Sequence, residues 1–250
     1  MVDMAKVVAV TGASGYVGTK LLQELERKVN LGRVVAIDTR PLPMPVHNIV
    51  SKRLDITGHS LNDVFRDLNV DTVVHLAFSI RPGRNRREIE FTRKSNLDGV
   101  RNVLRGCSAA RANNLIFLSS HTVYGPHRDN SVPITEEAQP RPLAEFQYSY
   151  DKWLCEREVL QFASENPSVS VTILRPCVVL GPGADNQVAR GFFKPFLLGF
   201  MGNDPPWQFV HEEDMARLLA LLVMEPQQGI YNVAGNGVVT YSQIARIARR

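Results

Sequence analysis

Residues 7–18 have the sequence VVAVTGASGYVG, in which an apolar run leads into Gly12, Gly15 and Gly18. The apolar run predicts a first β-strand, and apolar side chains at helical spacing predict a helix near 16–29. In a strand–turn–helix that binds a dinucleotide, the first glycine permits the tight turn. The second lets the backbone approach the pyrophosphate, and the third lets the helix pack closely. Because free N–H groups and the positive end of the helix dipole attract a pyrophosphate, the stretch predicts a dinucleotide-binding turn.

An acidic residue supports the same prediction, which the glycines alone carry weakly because their spacing is not the commoner G-x-G-x-x-G. Asp38 ends the second predicted strand, 20 residues after Gly18, where an acid accepts hydrogen bonds from the adenosine ribose hydroxyls. A carboxylate there repels a 2′-phosphate and favours NAD over NADP, although Arg40 is placed to accommodate that phosphate. Asp55, after the third predicted strand, is either a contact of the adenine amine or a turn cap.

Along the chain, apolar runs alternate with amphipathic stretches, which is typical of βαβ units around a parallel sheet. The predicted strands are Lys6–Val10, Arg33–Asp38, Asn48–Leu54, Asp71–Ala77, Asn114–Ser119, Ser170–Leu174, Trp207–Val210 and Ile230–Val233. The predicted helices lie near 16–29, 60–68, 86–112, 146–165, 212–224 and 241–250. We therefore predict an α/β fold, a doubly wound Rossmann fold with a mostly parallel sheet and a small C-terminal substrate-binding portion.

The chain is expected to divide into two portions. Residues 1–175 are predicted to form the NAD-binding Rossmann domain, with 207–224 packing back onto it. Residues 176–206 and 225–250 are predicted to form the substrate-binding portion, and the proline-rich stretch 121–143 a long loop. Because nothing follows the last predicted helix to close the pattern, the natural protein is expected to continue beyond it.

Composition argues against several classes of protein. With 44% hydrophobic and 22% charged residues and a net charge of +4, the chain is typical of a globular protein. It has neither an apolar run long enough to span a membrane nor a signal peptide, so a cytoplasmic location is expected. Its three cysteines lack metal-ligand spacing, so no metal is expected. One basic segment is interpreted as a solvated helix start rather than a nucleic-acid surface, with the holding of an anionic cofactor or substrate group as the alternative. It contains Arg81, Arg84, Arg86, Arg87, Arg93 and Lys94.

Tyr148 and Lys152 form the candidate catalytic pair. Their four-residue spacing places both side chains on one face of the predicted helix 146–165. A phenol with a pKa near ~10 is a weak base at neutral pH, and a neighbouring ammonium lowers that pKa. Ser120 lies at the end of the fifth predicted strand, at the carboxyl edge where doubly wound folds bind ligands. Its hydroxyl is therefore expected to share a hydrogen bond with the substrate oxygen and Tyr148.

These motifs together resemble the extended short-chain dehydrogenase/reductase family, in particular its NAD-dependent epimerase/dehydratase group. They occur in the family's order over essentially the whole chain: Thr11–Gly18, Asp38, His75-Leu76-Ala77, Asn96, Ser119-Ser120-x-x-Val123-Tyr124-Gly125, Tyr148 with Lys152, Leu174-Arg175-Pro176, Gly181-Pro182-Gly183, Phe209-Val210-His211 with Asp214, and Tyr231-Asn232-Val233. The resemblance implies that Tyr148 is the catalytic acid/base, that Lys152 anchors the nicotinamide ribose, and that Ser120 orients the reacting oxygen. It implies a cofactor site made of Gly12, Ser14, Gly15, Tyr16, Val17, Gly18, Asp38, Asp55, Ile56, Leu76, Ala77, Tyr148 and Lys152.

The implied reaction moves hydride between a substrate carbinol carbon and NAD while Tyr148 takes or returns the hydroxyl proton. An epimerase returns the hydride to the opposite face. A dehydratase needs a further acid or base, for which His121 is a candidate, although an ordinary loop role is the alternative. Nucleotide-sugar members of the family usually carry Asn and Arg where this chain has Val178 and Trp207. An indole cannot replace the charge with which Arg holds a diphosphate, so a sugar nucleotide is in question.

The aromatic segment that follows supports a less charged substrate. It contains Phe192, Phe193, Phe196, Phe200 and Met201, which form either a lid over an apolar substrate or a small satellite core. The candidate substrate contacts are His121, Val178, Phe192 and Trp207. The rival enzyme interpretation is accordingly an NAD(P)-dependent dehydrogenase or reductase of an apolar alcohol or ketone, similar to hydroxysteroid dehydrogenases. A non-enzymatic alternative is a dinucleotide-sensing regulatory protein, although such proteins generally lack the tyrosine–lysine pair. The family resemblance also suggests a homodimer through the helices around 86–112 and 146–165.

Overall fold

The structure is a computed structural model that describes residues 6–28, 31–80, 83–184, 187–192, 194, 202 and 204–248. Its strands are β1 Lys6–Thr11, β2 Leu31–Asp38, β3 Ile49–Arg53, β4 Thr72–His75, β5 Asn114–Leu118, β6 Ser170–Pro176, β7 Val178–Leu180, β8 Pro206–Trp207, β9 Phe209–His211, β10 Gly229–Val233 and β11 Val239–Thr240. Its helices are α1 Tyr16–Glu26, α2 Ser60–Asp67, α3 Arg86–Ala110, α4 Gln147–Glu165, α5 Gln187–Phe192, α6 Glu212–Met224 and α7 Tyr241–Ile247.

Seven parallel strands form the central sheet, in the order β10-β6-β5-β4-β1-β2-β3. The chain winds outward from β1 to β3, returns to β4 on the other side of β1, and winds outward again. The strand order therefore reverses between β1 and β4, and ligands of doubly wound sheets bind at the carboxyl ends of the strands beside this reversal. The glycine-rich turn follows β1 and lies at this point.

Helices cover both faces of the sheet. On one face α1 packs against α6, and their buried residues, including Leu21, Leu22 and Leu219, share one hydrophobic cluster with β1. On the other face α2 and α4 both pack against α3, and Phe65 and Val159 belong to a second cluster. Because β4 is covered on both sides, all four of its residues are buried, as its continuous apolar run predicts. The predicted doubly wound α/β fold is confirmed.

The region after β6 differs from the prediction. Trp207–Val210 is not one strand: β8 pairs antiparallel with β11, whereas β9 pairs parallel with β7. The chain changes partner at Gln208, and a run this short has no periodicity that could have indicated the change. The short strand β7 lies in a segment for which we predicted no regular structure.

The strand β10 pairs with β6 and so completes one edge of the central sheet. Residues 225–250, which include β10, were assigned to the substrate-binding portion, although β10 belongs to the central sheet. The division into two portions stays a prediction. Within the described ranges, no helix combines the length and apolar character needed to cross a membrane. Several residues of the sequence analysis lie outside the described residues: Arg81, Phe193, Phe196, Phe200 and Met201.

Candidate functional site

The glycine-rich turn has the close backbone contacts that its sequence predicts. Gly12 has a φ of +73°, and a Cβ there would lie 2.5 Å from the backbone nitrogen of Ala77. A Cβ on Gly18 would lie 2.3 Å from the carbonyl oxygen of Gly12, so the third glycine lets α1 pack against the turn. The first helical bond runs from the N–H of Thr19 to the carbonyl of Gly15 at 2.9 Å. The N–H groups that precede this bond, on Tyr16, Val17 and Gly18, are those left for an anionic ligand.

Asp38 is tied to the turn. Its carboxylate accepts from the N–H of Ser14 at 3.0 Å and from the N–H of Arg40 at 3.0 Å. The Arg40 side chain adds a weaker contact, with Nε 3.4 Å from Oδ1, while remaining 66% exposed. A carboxylate has about four acceptor positions, so two backbone donors leave room for ribose hydroxyls. Asp38 therefore lies beside the turn with acceptor positions to spare, and its contact with a ribose stays a prediction.

Asp55 and Ile56 lie in the turn after β3. One carboxylate oxygen of Asp55 accepts from both the N–H and the hydroxyl of Thr57, each at 2.9 Å. This is the turn-capping role that the sequence left open beside an adenine contact. The Ile56 side chain packs against Gly99 of α3, and its carbonyl accepts from the Asn102 amide at 2.7 Å. Both residues are thus firmly positioned, and their contact with a cofactor stays a prediction.

Leu76 and Ala77, after β4, lie directly against the glycine-rich turn. The N–H of Leu76 donates to the carbonyl of Thr11 at 3.1 Å, which continues the pairing of β4 with β1 beyond the strand. The buried imidazole of His75 hydrogen-bonds the Thr11 hydroxyl at 2.7 Å. Burial lowers the pKa of His75 to about 3, with a further lowering by Lys152, so this histidine is neutral. A neutral buried imidazole here is structural rather than an acid or base.

Tyr148 and Ser120 come together although 28 residues separate them in sequence. Ser120 is buried and caps the 3-10 turn His121–Tyr124, which follows β5. Its Oγ accepts from the Thr122 hydroxyl at 3.0 Å. Burial raises the pKa of Tyr148, and the hydrogen bond with the Ser120 side chain opposes that rise. In the protein alone the phenol is therefore protonated at neutral pH.

Lys152 is buried beside the same site. Its Nζ donates to the carbonyl of Leu118 at 2.6 Å and lies 4.0 Å from the centre of the Phe78 ring. The Phe78 ring in turn makes an edge-to-face contact with Tyr148 at 5.7 Å. Burial lowers the pKa of Lys152 to about 8, opposed by Cys155 and Glu156. Phe78 thus lies between the two side chains, and the sequence analysis did not single it out.

Asn96 holds the segment that carries Phe78. Its amide oxygen accepts from the N–H of Ser79 at 2.8 Å, and its amide nitrogen donates to the carbonyl of the same residue at 3.2 Å. Because Asn96 is buried in α3, these two bonds fix the chain just after the Leu76-Ala77 contact with the turn.

A network of buried polar side chains contacts the residues on both sides of Ser120. The Ser119 hydroxyl donates to Glu156 at 2.5 Å, and Glu156 forms an ion pair with Arg175 in which both side chains are at most 2% exposed. Arg175 also donates to the Tyr124 hydroxyl at 2.8 Å, and that hydroxyl donates to Asn232 of β10 at 2.7 Å. The network joins α4, β6 and β10 to both ends of the 3-10 turn, so it fixes the strand end at which Ser120 lies.

His121 is bonded to the end of β6. It is exposed, and its Nδ1 lies 2.9 Å from the carbonyl oxygen of Pro176. Because a carbonyl only accepts, Nδ1 carries the proton and Nε2 holds the free lone pair of the neutral ring. The imidazole thus joins the Ser120 segment to the end of β6.

The four substrate residues predicted from the sequence were His121, Val178, Phe192 and Trp207, and the last three lie together. Val178 and Phe209 are register partners in the β7–β9 pair, so the cluster adjoins β7. The Phe209 ring stacks on Trp207 at 6.0 Å, and Phe192 makes edge contacts with both rings at 6.0 and 6.2 Å. Among the described residues, the indole Nε1 of Trp207 is a buried donor without a hydrogen-bond partner.

Three side chains of this region were not predicted individually from the sequence: Phe78, Glu156 and Phe209. Phe209 lies within a predicted family motif, and its alternation with Trp207 along the chain could have indicated that the two rings share one side of a strand. Glu156 had no comparable signal, because a Glu within an amphipathic helix ordinarily faces solvent.

A doubly wound sheet with a glycine-rich turn at its strand reversal defines a dinucleotide-binding α/β protein. The sequence model of the NAD dependent epimerase/dehydratase family matches residues 8–234, and the chain belongs to that family. The family is NAD-dependent, which confirms NAD as the predicted cofactor.

The chain is also similar to individual proteins over most of its length. The chain is 28% identical to an uncharacterized protein of Mycobacterium tuberculosis over 250 residues, 98% of this chain and 66% of that protein. It is 27% identical to a decarboxylating sterol-4-alpha-carboxylate 3-dehydrogenase of Schizosaccharomyces pombe over 83% of this chain and 62% of that one. The structure of MoeE5 in complex with UDP-glucuronic acid and NAD superposes with a TM-score of 0.80 at 28% identity, covering 96% of this chain and 80% of MoeE5. The chain thus spans just under two thirds of the length of these two sequence relatives.

Proposed function

We propose that this protein is an epimerase/dehydratase-type oxidoreductase that moves hydride between a substrate carbinol carbon and NAD. The observation that carries the proposal is the meeting of Tyr148, Ser120 and Lys152 at the carboxyl edge of the sheet. The Phe78 ring lies between Tyr148 and Lys152. The glycine-rich turn and Asp38 fit the dinucleotide, because Gly12 and Gly18 allow the tight turn and the close helix packing that such a site needs; a Cβ at either residue would meet the backbone of the chain itself.

In the proposed reaction, the Tyr148 phenolate removes the proton of the substrate hydroxyl, and Ser120 holds the reacting oxygen by a hydrogen bond. NAD, when bound, accepts the hydride that leaves the carbinol carbon. Since burial raises the pKa of Tyr148, a positive charge must lower it during catalysis. Lys152 supplies one such charge, for which its Nζ must turn from the Leu118 carbonyl towards the site.

A sugar nucleotide is the first candidate substrate, because MoeE5 at 28% identity is described with UDP-glucuronic acid and NAD. The test is incubation of the purified protein with NAD and UDP-glucose or UDP-glucuronic acid. Chromatography detects an epimer or dehydrated product, and absorbance at the NADH band detects net oxidation. An epimerase gives a new sugar without net NADH, whereas a dehydrogenase gives stoichiometric NADH. Absence of both with every sugar nucleotide argues against this substrate class.

An apolar alcohol or ketone is the second candidate, and the aromatic cluster of Phe192, Trp207 and Phe209 favours it. These rings offer an apolar surface with one unpaired donor, Trp207 Nε1, and an unpaired buried N–H costs about 1–3 kcal/mol until an acceptor meets it. The sterol dehydrogenase among the relatives acts on a substrate of this kind by its name.

The two candidates are distinguished by the fluorescence of Trp207. The chain has two tryptophans, so Trp153→Phe leaves Trp207 as the single reporter. We expect a 3β-hydroxysterol to change the Trp207 emission saturably in the presence of NAD, because a ring stacked on the indole changes its surroundings. The matched control is Trp207→Phe, in which Trp153 alone reports and the sterol should leave its emission unchanged. A saturable change with UDP-glucose but not with the sterol would instead favour the sugar nucleotide.

The preference for NAD over NADP is predicted to depend on Asp38. In Asp38→Ser the carboxylate that accepts the ribose hydroxyls and repels a 2′-phosphate is gone, and Arg40 loses its partner. A hydrogen bond to a charged group contributes about 1.5–3 kcal/mol, so NAD binding should weaken by at least ~10-fold while NADP binding improves. Isothermal titration with each cofactor measures the ratio. Asp55→Ser is the matched control, because any contact of Asp55 with the adenine would affect NAD and NADP alike. An unchanged ratio of NAD to NADP affinity in Asp38→Ser would contradict the role of Asp38 in the preference for NAD.

A homodimer through α3 and α4 is proposed as the assembly of the enzyme. Phe91 of α3 and Leu160 of α4 are 74% and 39% exposed, which leaves apolar surface on both helices for a second copy to cover. Light scattering coupled to size-exclusion chromatography tests the proposal, with Phe91→Glu as the variant expected to be monomeric.

A further inference from the structure

Glu212, the first residue of α6, has its carboxylate buried where three segments of the chain meet. Its side chain is 2% exposed, and Oε1 lies 2.7 Å from the Nζ of Lys20. The hydroxyl of Tyr16 donates to Oε2. The N–H of Gly183 lies within 3.1 and 3.3 Å of the two oxygens. One carboxylate therefore holds α1, α6 and the segment after β7 together.

The segment after β7 is shaped to fit this carboxylate. A Cβ added at Gly181 would lie 2.4 Å from the Cγ and Cδ atoms of Glu212. A Cβ added at Gly183 would lie 3.2 Å from Oε2 and 3.4 Å from the Cε of Lys20. Both glycines of the Gly181-Pro182-Gly183 motif therefore let the backbone close over the ion pair. An ion pair enclosed to this degree is costly to desolvate and does not by itself stabilise a fold.

The carboxylate is ionised and the phenol beside it is not. Burial raises the pKa of Glu212, but hydrogen bonds from Lys20 and Tyr16 and the charge of Lys20 outweigh it and leave the pKa below its usual value. Burial and the neighbouring Glu212 raise the pKa of Tyr16, so its hydroxyl remains a donor. The junction thus contains one negative charge and one positive charge at neutral pH.

This charge pair adjoins the proposed pyrophosphate site. Tyr16 is the first residue of α1 and directly follows Gly15, so a single tyrosine side chain separates the Glu212 carboxylate from the N–H groups of the turn. A buried negative charge at that place opposes the binding of an anion. Lys20 lies one helical turn beyond Tyr16, on the same face of α1, and offsets the charge.

We propose that Lys20 is a further determinant of cofactor affinity, because it compensates the buried Glu212 carboxylate beside the site of the pyrophosphate. The inference rests on the proposed placement of the dinucleotide at the glycine-rich turn. Lys20 acts here as a positioning residue through Glu212, and no contact between Lys20 and the cofactor is required.

A three-variant cycle tests the proposal, with NAD binding measured by isothermal titration at pH 8. Lys20→Met leaves Glu212 unpaired, and we expect the Kd for NAD to rise on the order of tenfold. Glu212→Gln removes the carboxylate charge, so NAD binding should stay within about twofold of wild type or improve. The double variant has neither charge, and its affinity for NAD should return to within about threefold of wild type.

Two further measurements separate this electrostatic role from a merely structural one. The affinities for ADP and adenosine are compared by saturation-transfer NMR. Lys20→Met should weaken the binding of ADP, which carries phosphates, and leave the affinity for adenosine within about twofold of wild type. Raising the salt concentration should shrink the Lys20→Met effect on NAD. A double variant as weak as Lys20→Met, or equal losses for ADP and adenosine, would overturn the proposal.

A glycine variant tells the failure of the inference from the failure of the cofactor site. In Gly12→Ala the added Cβ would meet the backbone of Ala77 at 2.5 Å, and NAD binding should be lost. If Gly12→Ala binds NAD normally, the proposed cofactor site is wrong. If Gly12→Ala abolishes binding while Lys20→Met binds NAD as wild type does, only the role of Lys20 is wrong.

Discussion

Tyr148→Phe is expected to lower turnover by about 10²–10⁴-fold, the usual contribution of a general acid or base. The variant keeps the ring that contacts Phe78 at 5.7 Å and Phe146 at 6.0 Å, and it removes the hydroxyl that bonds Ser120. NAD binding should therefore change little, which isothermal titration measures. The loss should appear in kcat with whichever substrate the panel identifies.

Tyr150→Phe is the matched control for this prediction. Tyr150 lies two residues further along α4, and its ring packs beneath the Arg93 guanidinium at 5.0 Å. Because Tyr150 has no lysine four residues on, its substitution should leave turnover within about twofold of wild type. Equal activity of Tyr148→Phe and wild type would refute the catalytic assignment and favour the dinucleotide-sensing alternative.

The pH dependence should follow from the same phenol. Burial raises the pKa of Tyr148, so the phenol is protonated at neutral pH. The fraction of phenolate grows as the pH rises, and alcohol oxidation should accelerate with pH until the phenol has lost its proton. In Lys152→Met the ammonium that favours the phenolate is absent, so the midpoint of the profile should move to higher pH. An unmoved midpoint in Lys152→Met would contradict the role assigned to this lysine.

Arg175→Met is expected to destabilise the fold strongly. Arg175 and Glu156 are both buried, and the substitution leaves the Glu156 carboxylate and the Tyr124 hydroxyl without their common partner. Removing one member of a buried ion pair costs about 3–5 kcal/mol, which for a chain of this size lowers the Tm by roughly 10 °C. Calorimetry of both proteins measures the difference.

The control for Arg175→Met is Arg217→Met. Arg217 also pairs with an acid, Asp214, but both side chains are 59% exposed. Exposed pairs contribute little, so the Tm of Arg217→Met should stay close to that of wild type. If Arg175→Met and Arg217→Met have the same Tm, the buried network does not support the Ser120 segment. A partial recovery in the double variant Arg175→Met/Glu156→Met would show that the unpaired carboxylate, and not the lost volume, is the cause.

The sequence by itself determined the features that depend on few neighbouring residues. Gly12 and Gly18 are required by steric contacts of a tight turn, and the structure has those contacts at 2.5 and 2.3 Å. The spacing of Tyr148 and Lys152 follows from the helical repeat of α4. The parallel sheet follows from continuous apolar strands that alternate with amphipathic helices. Local geometry and periodicity encode such features directly, because each needs only a few adjacent side chains.

Only the tertiary structure decided which distant side chains meet. Tyr16 and Glu212 are 196 residues apart, and Val178 pairs with Phe209 across a segment that no periodicity describes. The interposition of Phe78 between Lys152 and Tyr148, and the Glu156–Arg175 pair beneath Ser120, depend on how α4 is placed against β4, β5 and β6. These contacts arise from the packing of whole elements, and a buried carboxylate in a helix has the same sequence pattern as an exposed one. The turn and the shared helix face of Tyr148 and Lys152 were therefore predictable, whereas the charges and rings that surround them were not.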